Sequence, residues 1–269
     1  MLIAFIIAHL TATGRTEIRI ASNLVANSAA QAAADGAVFA AIFNLSDPQP
    51  EQRWPVDGSV REIVIGTSRV AIRLENEASW INPSTASPAL MEALLRVTGS
   101  DPDTARGLAV AISEWVGSSG VARPQEAILA EYRAAGLDYG PPGGPIETVG
   151  ELERVLGMTP AVLAAIRPHL TLFGPPEPDL ATTDPIVAAA LALVSRQAGP
   201  TGLIPGSATL EQLTVRITAL ASGPGSARVV RTAVVRLGAT SPQGYNILAW
   251  GNGTDADLTL GAPQPLLTR

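Results

Sequence analysis

The segment RTEIRIASNLVANSAAQAAADGAVFAAIFN, from Arg15 to Asn44, is Ala-rich, contains no Pro and stops just before the turn-forming SDPQP at 46–50. It reads as one helix. The residues before it are apolar from Leu2 to Leu10 except for His9, and the first charge is Arg15. If this opening continues the same helix, the element exceeds forty residues, far beyond the usual globular length. Helices that long are part membrane span, part coiled coil or part of a fibre. Met1–Gly14 is itself shorter than the roughly 20 apolar residues that cross a bilayer.

Polar residues recur every four positions at Arg15, Arg19, Asn23, Asn27, Gln31 and Asp35. Four residues advance about 400°, so the stripe drifts by about 40° per step and winds around the axis. The face away from it carries Ile18, Leu24, Val25, Ala29, Val38, Phe39 and Ile42. A winding stripe suits a helix with several helical neighbours. It equally suits the solvated face of an ordinary amphipathic helix.

Beyond the helix, VREIVIG (60–66) and RVAIRLE (69–75) read as a hairpin with one buried face, Val70, Ile72 and Leu74 pointing together. Residues 82–170 read as helical: NPSTASPALMEALLRVTG, DPDTARGLAVAISEWVG, RPQEAILAEYRAAG, and TVGELERVLGMTPAVLAAIRPHL as two helices broken at Gly157. FGPPEPD (173–179) is a stiff linker, and 184–198 reads as a short helix. LTVRITAL (213–220), ARVVRTAVVRL (227–237) and YNILAWG (245–251) read as three antiparallel strands. Two-stranded ribbons are marginal alone. The economical α+β arrangement joins the early and late strands into one sheet on the long helix, with the helical block as an insertion. The expected division is 1–45 for the stalk helix, 46–81 and 199–255 for the β domain, 82–180 for the inserted helical domain, and 256–269 for a tail.

Apolar residues make up 46% of the chain and charged residues 16%, so most of it should be globular. The net charge is −6, which disfavours a partner held mainly through phosphates. No Cys is present, excluding disulfides, thiolate metal sites and cysteine nucleophiles. His9 and His169 are the two histidines, too few for the usual zinc ligand sets. No Walker loop, dinucleotide fingerprint or G-x-S-x-G elbow occurs. GPPGGP (140–145) lacks a following Lys and reads as a turn. Asp101 and Asp103 read as helix-start residues rather than cation ligands. No catalytic, cofactor-binding or metal residue is assigned. LLRVTG and LERVLGMTP have the pattern of helix-hairpin-helix turns that grip a nucleic-acid backbone, but Glu151 and Glu153 lie beside the second. A nucleic-acid-binding module is the alternative reading.

Several patterns occur together in order. RTEIRIASNLVANSAAQAAADGAVFAAI, ENEASWINPSTASPALMEALL, GPIETVGELERVLGMTPAVLAAIRPHLTLFG and SARVVRTAVVRLGATSPQGYNILAWG resemble, respectively, the stalk, the start of the helical insertion, the second helical module and the closing strands of minor pseudopilin K of bacterial type II secretion systems. The resemblance runs from about residue 15 to 251. It implies a pilin-like subunit with a helical insertion of SAM-like or helix-hairpin-helix-like type. It implies a non-enzymatic role at the pseudopilus tip with I- and J-type minor pseudopilins and the major pseudopilin, supporting export and meeting the secreted cargo. Nucleic acid is not an expected partner.

It further implies a single-pass inner-membrane anchor with the globular part in the periplasm. Leu2, Ile3, Phe5, Ile6, Ile7, Leu10, Ile18, Leu24 and Val25 would pack in lipid and then among neighbouring helices, with Arg15, Glu17 and Arg19 at the membrane edge. The family's leader and cleavage site are not visible. The expectation is that Met1 is an internal start, with a basic leader and about ten more apolar residues encoded upstream. The family also implies calcium near an acidic stretch after a Trp. Here that stretch is SEWVGSSGVARPQE, with Gly117, Ser118 and Ser119 where carboxylates belong and Glu114 and Glu126 nearby. Calcium wants six to eight oxygens, so its site is expected to be lost or weakened.

Overall fold

The computed structural model describes residues 2–118, 123–180, 182, 184–198, 213–238 and 242–253, the side chains of 2–16 excepted. The apolar opening and the Ala-rich segment form one continuous helix, α1 (Leu2–Leu45), about 66 Å long at 1.5 Å per residue. Among the described residues no helix is long and apolar enough to cross a membrane.

The chain divides into two compact units, residues 1–76 with 210–269, and residues 77–209. In the first, α1 lies on an antiparallel sheet of β1 (Asp57–Ile65), β2 (Ser68–Asn76), β3 (Thr214–Ser222), β4 (Arg228–Leu237) and β5 (Tyr245–Asn252), paired in that order. The early ribbon and the late strands are thus one sheet. Its closure runs through β2 and β3, where Ile72 faces Ala219 and Leu74 faces Ile217. Strand alternation sends Val70, Ile72, Leu74, Val215, Ile217, Ala233 and Val235 to one face, where they are almost wholly buried under α1.

The helix side of that core is mostly alanine: Ala30, Ala33, Ala34, Ala37 and Ala41, joined by Val38, Ile42 and Leu45. This i, i+3, i+4, i+7 pattern makes one stripe, and methyl-sized side chains let the helix axis approach the sheet closely. The structure therefore divides the apolar face read from the sequence. Val38 and Ile42 pack into the sheet, while Ile18, Leu24, Val25 and Phe39 remain exposed.

The second unit holds α2 (Pro88–Val97), α3 (Pro102–Val116), α4 (Gln125–Ala134), α5 (Pro160–Ile166) and α6 (Pro185–Ala198). Leu94, Leu95, Leu108, Ile112, Leu163 and Val187 lie in its core. TVGELERVLG, expected to be a helix, forms only a 3-10 turn at Val149–Arg154. Glu151 explains the difference. Its Oε1 accepts the Trp115 indole N–H at 2.8 Å and its Oε2 accepts the Glu147 N–H at 3.0 Å, fixing the backbone as a tight turn against α3.

The two ends of this unit are tied across some ninety residues. Ile81 and Leu170 form a parallel bridge. The Asn82 amide donates to the carbonyls of Leu172 (3.3 Å) and Gly174 (3.1 Å), and the Thr171 hydroxyl donates to the buried Glu77 carboxylate. A Cβ on Gly174 would lie 2.8 Å from the Glu77 carbonyl oxygen, so only glycine fits this closure. Two of the sequence patterns quoted above, ENEASWIN and HLTLFG, are thus opposite sides of one joint.

Candidate functional site

The stretch of α1 before the sheet begins is the most unusual surface of the first unit. Ile18 is 71% exposed, Leu24 62% and Val25 70%. Ile18 and Val25 are seven residues apart and share a helix face. Branched aliphatic side chains gain roughly 1.5–3 kcal/mol each on burial, and a row of them with no covering element marks a contact surface. Further along, Phe43 is 83% exposed and Phe39 meets the Trp250 ring of β5 at 5.7 Å between centroids. Of the polar stripe, Arg19, Asn23, Asn27 and Gln31 are exposed, while Asp35 is drawn onto the sheet by Arg231. The side chains of Leu2, Ile3, Phe5, Ile6, Ile7 and Leu10 lie outside the described residues.

Titratable groups do not converge. Among the described residues no three His, Asp or Glu side chains are placed to hold a metal ion. A cleft at the C-terminal end of α1, lined by Leu45, Arg53, Trp54, Leu213, Leu237 and Gln243 among others, contains Arg53 as its one ionisable residue. His169 Nδ1 lies 2.7 Å from Asp184 Oδ2, and the other Asp184 oxygen accepts the N–H groups of Ile186 and Val187 at the start of α6. That carboxylate caps a helix and has no nucleophile to assist.

The implied calcium site fails on its donors. Arg123 Nη1 is 3.0 Å from Glu114 Oε1 on α3, and its Nη2 pairs with Glu131 on α4. The two carboxylates already share a guanidinium, and Gly117 and Ser118 add no charge. The residues present do not fit calcium.

The helix-hairpin-helix pattern is realised as shape. Gly99 (φ +106°) and Gly157 (φ +81°) turn the chain in the left-handed region ahead of α3 and α5. A phosphate would need the amides at those helix starts. At α3 the Asp101 carboxylate already takes the N–H groups of Asp103 and Thr104, and at α5 the Thr159 hydroxyl takes that of Val162.

Comparison with known proteins agrees with this geometry. Residues 70–176 match the family described as type II secretion system (T2SS), protein K. A search of curated protein sequences returned no match. Among solved structures, the chain is similar to a chain in the crystal structure of the GspK-GspI-GspJ complex from the enterotoxigenic Escherichia coli type 2 secretion system. The identity is 14% and the TM-score 0.52, with 90% of this chain and 99% of that chain covered. That likeness is one of fold. The resemblance to type II secretion system protein K carried by the sequence patterns is thus shown again by the family match over residues 70–176 and by a fold shared with a chain of that complex.

Proposed function

We propose that the chain is a non-enzymatic minor pseudopilin of type II secretion, placed at the tip of the pseudopilus. The observation that carries the reading is the row of exposed aliphatic side chains on α1 ahead of the sheet. In this account the apolar opening lies in the inner membrane and the two units lie in the periplasm. On assembly α1 leaves lipid and packs among the helices of I- and J-type minor pseudopilins and the major pseudopilin. The helical unit, SAM-like in its short helices and glycine turns, sits in the chain between β2 and β3. At a tip it would obstruct a further subunit above and would be available to secreted cargo.

The test is to mix the full chain with the I- and J-type minor pseudopilins of its own genome. Size-exclusion chromatography should give a co-eluting complex. Elution of the chain alone at micromolar concentration would contradict the assignment. The nucleic-acid reading is disfavoured by the occupied helix starts and the acidic charge, and a mobility-shift assay at low salt should give no shift.

A further inference from the structure

One end of the sheet carries charge that the assembly role does not use. The two turns at that end lie beside the earlier part of the packed helix: a Cβ on Gly223 would meet Ala26 and Ala30 at 3.5 Å. The opposite end, at Leu213 and Leu237, shares a cleft with Leu45. The segments Ile65–Arg69 and Ser222–Arg228 are therefore the part of the sheet closest to the apolar opening of α1. Register aligns Arg69 with Ser222, and Ser222 with Arg228. Val70, Ala227 and Val229 pack towards α1, so alternation sends Arg69 and Arg228 to the outer face, where both are exposed. Val64, paired with Arg69, is 72% exposed on the same face, and Pro224 is exposed in the turn.

The surrounding sequence contains no compensating acid. In a chain of net charge −6, no Asp or Glu occurs from Ile63 to Leu74 or from Leu213 to Gly253. Two exposed arginines beside exposed apolar side chains suit a lipid headgroup layer, where guanidinium meets phosphate and aliphatic groups reach the acyl boundary.

We propose that this end of the sheet rests on an anionic bilayer surface, with Arg69 and Arg228 contacting lipid phosphates while the subunit waits in the membrane. The inference rests on the membrane-anchor reading of α1. The distances allow it. If Arg15–Arg19 lie at headgroup level, Ala26–Ala30 stand about 10–17 Å further along the axis. An arginine side chain reaching back, a tilt of about 20° and a screening length of about 8–10 Å bring the two charges within range. Each arginine so placed should raise membrane partition roughly fivefold.

The experiment floats the full 269-residue chain with vesicles of phosphatidylcholine alone and of phosphatidylcholine with phosphatidylglycerol, at low and high salt. Binding to neutral vesicles reports the anchor, and the increment from phosphatidylglycerol reports the basic end of the sheet. The expected result is an increment of more than tenfold at low salt. It should vanish in high salt and in the Arg69→Gln/Arg228→Gln variant, and survive in Arg69→Lys/Arg228→Lys. Equal partition into both vesicle types, or an increment that persists in the Gln variant while the unfolding midpoint is unchanged, would overturn the proposal. Absence of binding to neutral vesicles with the increment intact would overturn the anchor and leave the basic contact standing. An increment that appears instead with an acidic protein partner, and not with lipid, would identify a different occupant and defeat the lipid contact.

Discussion

Arg231 leaves β4 on the side of α1. Its Nε–H donates to Asp35 at 2.5 Å, its Nη1 donates to Asn252 at 2.6 Å, and its guanidinium lies 5.6 Å from the Trp250 ring centroid. One buried cation thus joins the long helix to the two last strands. Removing a partner of a buried pair leaves an uncompensated charge, which costs about 3 kcal/mol or more. Asp35 is one-third exposed, so Asp35→Ala should cost about 2–3 kcal/mol in urea unfolding. Asp184 makes a second prediction. Burial alone would push its carboxyl up, but the hydrogen bonds with His169 and the N–H groups of Val187 and Ile186 hold it below the usual 3.8. A carboxyl whose folded pKa is depressed contributes stability above the unfolded value, and that contribution fades as pH falls through the folded value. Asp184→Asn should therefore be less stable than the parent at pH 7, and the gap should close below about pH 4. Thermal unfolding across that range reads it.

At the scale of elements, the alanine stripe of α1 fixes how closely helix and sheet can pack. Ala34 is fully buried there, and overpacking a core position costs about 1–3 kcal/mol. Ala34→Leu should lower the unfolding midpoint accordingly in chemical denaturation. Much of this architecture was legible. The period-2 runs at 69–75 and 213–237 marked strands, and the sequence reasoning that ribbons cannot stand alone led to their union in one sheet. Two features were not legible. Ile18, Leu24 and Val25 looked continuous with Val38 and Ile42, because periodicity shows a shared face and cannot show where a sheet stops. GELERVL was misread as a helix because its propensity is helical, while the contact that shapes it, Trp115 to Glu151, spans 36 residues. The Asn82–Gly174 joint was hidden for the same reason, being 92 residues apart. Conspicuous in hindsight is Asn82, a lone amide directly after the apolar Trp80-Ile81, where a side chain that caps distant carbonyls is a natural reading.

At the scale of the whole molecule, the claim is that the exposed part of α1 is made to be covered by other helices. The chain has no cysteine, so a single polarity-sensitive fluorophore can be attached without background. Leu24→Cys places it on the proposed contact, and Arg106→Cys, on the exposed face of α3, serves as the control. Labelled chain is titrated with the I- and J-type minor pseudopilins while complex formation is followed by elution volume. The account predicts a blue shift at position 24 that tracks complex formation, with position 106 unchanged. A complex that forms with no change at position 24 would contradict it.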